Sequence, residues 1–274
     1  MTPSRGRLTV VVLAAAAVLV VAGAVLWPRV DDALTVGTAL GRTHEPKPWA
    51  AALSAPTVPT RESAGTAAPT SAPTPAFDLA QHSSSDPASP WVVVNKQHPL
   101  PADHVPPDIV EVEGVQVRGL AAADLTAMLT TARAEGVALG VRSGYRSYDV
   151  QAAARADIEA RRGFAHAERY SARPGHSEHQ TGLAVDVVSG STPSCDLQTC
   201  FATTPEGTWV AARAGEFGFV VRYTEQNTDV TGYAPEGWHL RWVGRELTAW
   251  LAANGTPSLE EALGVTGGPE YVGG

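Results

Sequence analysis

The apolar positions of this chain fall into three regimes. From Leu8 to Trp27 they form one uncharged run of twenty residues, preceded by Arg5 and Arg7 and closed by Pro28-Arg29. At about 1.5 Å per residue, a helix of that length spans roughly 30 Å, the thickness of a bilayer core. The basic flank predicts the N-terminus inside and the rest of the chain outside the membrane. Residues 1–28 are therefore read as a transmembrane signal-anchor. A cleaved signal peptide is the alternative, because Ala22-Gly23-Ala24 resembles a small-residue cleavage site.

From residue 29 to 90 large apolar residues are sparse, and Ala, Pro, Ser and Thr dominate, as in the run from Ala68 to Pro75. Such a segment buries too little surface to offset its chain entropy and reads as a disordered linker.

Periodic patterning begins at Trp91. Trp91-Val92-Val93-Val94 reads as a short strand, and Leu120 to Ala134 has helical spacing with Leu125, Met128 and Leu129 on one face. Val137 to Val141 reads as a buried strand, followed by a helix capped by Asp149 and running through Arg162. Leu183 to Val188 alternates, with Leu183, Val185 and Val187 on one face and Ala184, Asp186 and Val188 on the other. Pro205 to Phe217 reads as a helix ended by Gly218, Phe219 to Tyr223 and Trp238 to Val243 as strands, and Arg245 to Asn254 as a helix stopped by Gly255. The order predicts a small single α+β domain over residues 91–254, with a central, mainly antiparallel sheet flanked by helices, and a flexible Gly-rich tail over 255–274.

A formal net charge of −8 argues against non-specific nucleic-acid binding, which needs a basic face. The two cysteines, Cys195 and Cys200, read as a small disulfide loop in an exported protein; a zinc pair is the rival, but no second pair completes a structural site.

The chemistry concentrates in two clusters. Ser177 to Asp186 carries His179 and Asp186 around Gly182, and Glu236-Gly237-Trp238-His239 adds a second imidazole behind a carboxylate. Two His and one Asp fill three positions on a zinc ion and leave the fourth open, as catalysis requires. Against this stand plainer readings: a hydrogen-bonded core imidazole for His239, an arginine partner for Asp186, and an exposed turn carboxylate for Glu236. His176 can line the entrance, and Arg142 reads as a solvated surface residue.

Four stretches, in this order, carry a resemblance. They are Val94-Asn95-Lys96 with His98-Pro99-Leu100-Pro101, Ser143-Gly144-Tyr145-Arg146-Ser147 with Gln151, Ser177 to Asp186, and Trp238-His239-Leu240-Arg241-Trp242-Val243-Gly244. The chain resembles the zinc D-alanyl-D-alanine carboxypeptidases of the vancomycin-resistance VanY type, LAS-type metallopeptidases. The resemblance implies zinc on His179, Asp186 and His239, Glu236 as catalytic base, and Arg146 polarising the scissile carbonyl. It implies substrate-pocket roles for Ser177 and Gln151, and the peptidoglycan stem peptide as substrate. One departure is Gly237, where many relatives carry proline; this loosens the turn expected to hold Glu236. A peptidoglycan endopeptidase on the same scaffold and a non-catalytic wall-binding module are the competing functions. The expected location is the cell membrane, single-pass, with the domain extracytoplasmic.

Overall fold

The computed structural model describes residues 77–273. The apolar run from Leu8 to Trp27 and most of the linker lie outside these residues. Among the described residues no helix is long and apolar enough to cross a membrane.

The hairpin β1 (Ile109–Val112) and β2 (Val115–Arg118), to which the sequence pattern assigned no element, leads into α1 (Gly119–Ala134) and β3 (Leu139–Ser143). Helices α2 (Tyr148–Arg162) and α3 (Phe164–Tyr170) follow, then a 3-10 turn over Glu178–Thr181 and β4 (Ala184–Ser189). The second half holds α4 (Pro205–Arg213), β5 (Phe219–Tyr223), α5 (Thr228–Thr231), β6 (Glu236–Trp242), α6 (Arg245–Asn254) and α7 (Leu259–Leu263). Strands β3, β4, β6 and β5 lie side by side in that order; every pair is antiparallel, in line with the mainly antiparallel sheet the pattern predicted.

The main core is built from Leu125, Met128 and Leu129 of α1, Val185 and Val187 of β4, and Val210, Phe219 and Leu240. The alternation read in β4 thus holds: its Val face meets this core and its Asp186 face looks the other way. Between Val141 and Ser143 the register of β3 on β4 shifts, so Arg142 is an extra, exposed residue and Ser143 falls opposite Asp186. A bulge of this kind re-aims the side chain that follows it.

Four expectations change. Trp91 to Val94 is fully buried but joins no ladder. Its residues alternate between two apolar clusters, Trp91 and Val93 in one and Val92 and Val94 in the other. The carbonyls of Pro90 and Val92 are taken by the Arg241 guanidinium at 3.0 and 2.9 Å, which stands in for a neighbouring strand. The cap of α2 is Ser147, whose Oγ accepts from Val150 N at 3.3 Å, and Asp149 sits inside the first turn. Helix α4 stops at Arg213 and tightens into a 3-10 turn over Ala214–Phe217.

The largest change is at the two ends of the domain. Phe77 packs on Trp91 and Trp250, so ordered packing begins before residue 91. The segment after Gly255, expected to be flexible, forms α7 and buries Leu259, Glu260 and Tyr271. Glu260 grips Arg222 with two hydrogen bonds at 3.0 and 2.7 Å, and both side chains are sealed from water. Removing one partner of a buried pair leaves the other charge uncompensated. Glu260→Ala is therefore expected to cost about 3–5 kcal/mol of stability, read as a lower urea midpoint.

Candidate active site and metal centre

The 3-10 turn carrying Glu178 and His179 ends at Gly182, whose φ is +67°. A Cβ there would sit 2.9 Å from side-chain carbons of both Arg118 and Ile109, so the hairpin leaves room only for glycine. Gly144 has the same tightness: a Cβ would lie 2.2 Å from the Gln116 carbonyl. The hairpin thereby presses the β3–α2 connection onto the turn, and the Gly144 carbonyl meets His179 Nδ1 at 2.7 Å. That contact makes Nδ1 the donor to the backbone and turns Nε2 towards Asp186.

Cross-strand register supplies the rest. Asp186 of β4 pairs with His239 of β6 on one side and Ser143 of β3 on the other. Asp186 offers Oδ2 to His179 Nε2 and Oδ1 to His239 Nδ1, each at 3.2 Å, and accepts a hydrogen bond from Ser143 Oγ. Ligand atoms of His179, Asp186 and His239 all lie within 4.8 Å of one another, and the three residues are buried. Tetrahedral donors at about 2.1 Å from zinc are about 3.4 Å apart, so the donor set and its spacing fit the ion.

His239 Nε2 lies 3.3 Å from Glu178 Oε2. Glu178 Oε1 in turn accepts from Arg222 Nε at 2.8 Å and Arg241 Nη1 at 3.1 Å. Burial works against the Glu178 charge, but the two guanidiniums hold its carboxyl well below the usual range. For His239, burial alone would lower the pKa; the hydrogen bonds to Asp186 and Glu178 outweigh it and raise it to about 9. For Asp186, burial is likewise outweighed, by the charges and hydrogen bonds of His179 and then His239.

Glu178 was missed in the sequence, although it stands next to His179. Its role depends on Arg222 and Arg241, which come together only in the fold. A carboxylate behind a ligand histidine fixes the tautomer and raises its basicity. Glu178→Gln is expected to weaken zinc affinity by about 10–100-fold, measured by competition with a chromophoric chelator.

The other expected residues share one cavity of about 640 Å³ with the metal triad: Arg146, Gln151, Ser177 and Glu236 all line it. Glu236 is not on a loose turn; it opens β6 and pairs across to Tyr223, so Gly237 sits within a strand. Burial, with Asp186 nearby, pushes the Glu236 carboxyl up to about 7 against the pull of His239 and Arg146. Burial lowers the Arg146 pKa, and Asp186 and Glu236 oppose it. Gln151 donates to the Ala172 carbonyl at 2.7 Å, and its buried Oε1 has no partner among the described residues. His176 does not reach the cavity lining; its Nδ1 meets the Asn95 carbonyl at 2.8 Å and its ring packs edge-on to Tyr271. Cys195 and Cys200 are joined in a disulfide, which settles that pair against zinc.

The profile of the VanY family, D-alanyl-D-alanine carboxypeptidase, matches residues 114–245. The structure of the LdcB LD-carboxypeptidase is 36% identical, with a TM-score of 0.60 over 66% of this chain and 88% of that one. A VanY D,D-pentapeptidase mutant from a VanB-type resistance cassette, in complex with Zn(II), is 32% identical, with a TM-score of 0.55 over 63% of this chain and 97% of that one. The chain belongs to the VanY family of D-alanyl-D-alanine carboxypeptidases. Among curated members, the putative carboxypeptidase YodJ of Bacillus subtilis (strain 168) is 37% identical over 179 residues, 62% of this chain. That match spans 65% of YodJ, just under two thirds of its length. The Zn(II) complex of the VanY relative agrees with the donor set assembled here from His179, Asp186 and His239.

Proposed function

We propose that this VanY-family chain is a zinc D-alanyl-D-alanine carboxypeptidase that removes the terminal D-alanine from peptidoglycan stem peptides. One observation carries the reading: the three candidate ligands, Glu236 and Arg146 converge in a single cavity. Ser177, Tyr223 and Tyr233 of its lining are buried, whereas Gln198, Thr199 and Arg161 are exposed. A water-activating carboxylate beside the candidate ligands favours an enzyme over a wall-binding module, and a VanYB relative solved in complex with D-alanine-D-alanine, 32% identical, favours a carboxypeptidase.

Held by His179, Asp186 and His239, zinc supplies Lewis acidity and brings the pKa of water from about 15.7 towards 7. Glu236 accepts the proton of the attacking water and delivers it to the departing D-alanine nitrogen, a role suited to a carboxyl poised near neutrality. The Arg146 guanidinium offers paired N–H donors to the carbonyl oxygen as negative charge develops on it. Gln151 and Ser177 hold the peptide from the cavity wall.

We also place the enzyme on the outer face of the cytoplasmic membrane, tethered by residues 8–27. The uncharged run, its basic flank and a disulfide in the domain support this placement.

A second reading, cleavage of an L,D bond, has specific support: two relatives of known structure are L,D-carboxypeptidases, at 36% and 39% identity. Mass spectrometry after incubation of the zinc-loaded chain with defined muropeptides separates the readings. Pentapeptides ending in D-Ala-D-Ala should lose one alanine, and amidation of their terminal carboxylate should stop the reaction. Trimming of tetrapeptides alone would sink the D,D assignment.

A further inference from the structure

The disulfide between Cys195 and Cys200 closes a ring around Asp196, Leu197, Gln198 and Thr199. The last three line the cavity that holds Arg146 and Glu236. The ring is braced from behind. Asp196 Oδ1 accepts from Ser189 N at 3.0 Å, and Ser189 and Ser191 hydroxyls donate to buried Glu206 at 2.7 and 2.8 Å.

Leu197 adopts a φ of +53°, in the left-handed region that non-glycine residues seldom enter. Such a backbone persists where its surroundings over-determine it, and it concentrates at ligand-binding surfaces. Leu197 lies inside the covalent ring, next to the Asp196 anchor, and its side chain packs against the main core. Gln198 and Thr199 are exposed and line the cavity. A peptide held between Arg146 and Glu236 shares its cavity with them.

We infer that the Cys195–Cys200 ring is a specificity-determining wall that binds the part of the peptide upstream of the scissile bond. Gln198 and Thr199 offer neutral donors and acceptors suited to a peptide backbone, and Leu197 fixes where they stand. The inference rests on the carboxypeptidase reading only for the direction in which the peptide lies.

The test measures binding apart from turnover. The full-length zinc-loaded chain carrying Glu236→Gln is titrated calorimetrically with a D-Ala-D-Ala pentapeptide, with the ring intact, opened by Cys195→Ser plus Cys200→Ser, or altered by Gln198→Ala. Opening the ring should weaken Kd about tenfold, and Gln198→Ala several-fold, the worth of one or two hydrogen bonds. Zinc content should be unchanged throughout. In the otherwise wild-type enzyme the same changes should raise KM and leave kcat within about twofold. Unchanged Kd in both variants overturns the wall, as does a fall in kcat at constant KM. If the opened ring does not fold, Gln198→Ala decides alone, since its side chain is exposed and the ring stays closed. A wild-type chain that binds the pentapeptide but releases no D-alanine would instead overturn the activity and leave the wall standing.

Discussion

Glu236→Gln should reduce kcat by about 10²–10⁴-fold while zinc stays bound, because the substitution removes the proton acceptor and none of the three ligands. Metal analysis of the purified variant beside its steady-state kinetics checks both halves. The same substitution should stabilise the metal-free protein at alkaline pH. In the fold, the Glu236 carboxyl is raised to about 7 from its ordinary 4.5. A raised carboxyl favours the folded state fully below the unfolded pKa, and that contribution is lost as pH rises through the folded one. At pH 8 the wild type therefore holds an ionised carboxylate in a site that resists it, and glutamine does not. The expected gain is on the order of 2 kcal/mol, seen in urea unfolding at pH 8 and shrinking towards pH 4.5. Equal stability of the two proteins at pH 8 would contradict the buried, proton-poised setting of Glu236.

Asp186→Ala should abolish both zinc retention and turnover, and chelation of the wild type should do the same reversibly. Asp186 bridges both histidines in the fold, so its loss removes one ligand and disorients two others. Zinc readdition should restore the chelated wild type and leave the variant inactive. Since the ion binds only the folded chain, a thousandfold excess over Kd should raise stability by about 4 kcal/mol, visible as a higher Tm. Affinity should weaken as pH falls. His239, raised to about 9 between Asp186 and Glu178, is protonated at neutral pH without metal, and the ion must displace that proton. A Tm that ignores zinc would argue against the assigned ligands.

The face of Asp186 was legible because β4 alternates cleanly and its carboxylate breaks an otherwise apolar run, whereas the order of strands in the sheet was not. His179 and His239 stood out by their neighbours, and the structure brings both to Asp186. The hairpin over Ile109–Arg118 was not legible, since two four-residue strands give a weak period. Trp91 to Val94 had the period of a strand, but what satisfies its carbonyls is an arginine 149 residues away from Val92. Nothing local in the sequence marks Glu178 or Glu260; only the arrival of Arg222 and Arg241 makes them interior. The segment after Gly255 looked mobile because glycines hide the few residues, Leu259, Glu260 and Tyr271, that dock it.

The chain of contacts from His239 through Glu178 and Arg222 to Glu260 sets a timetable for assembly. His239 lies 53 residues after its partner Asp186, and Glu260 another 38 after Arg222, measured from residue 222. Closing contacts so distant in sequence costs chain entropy. A growing chain thus carries His179 and Asp186 before it owns His239, and the carboxylate that braces His239 through Glu178 and Arg222 is made later still.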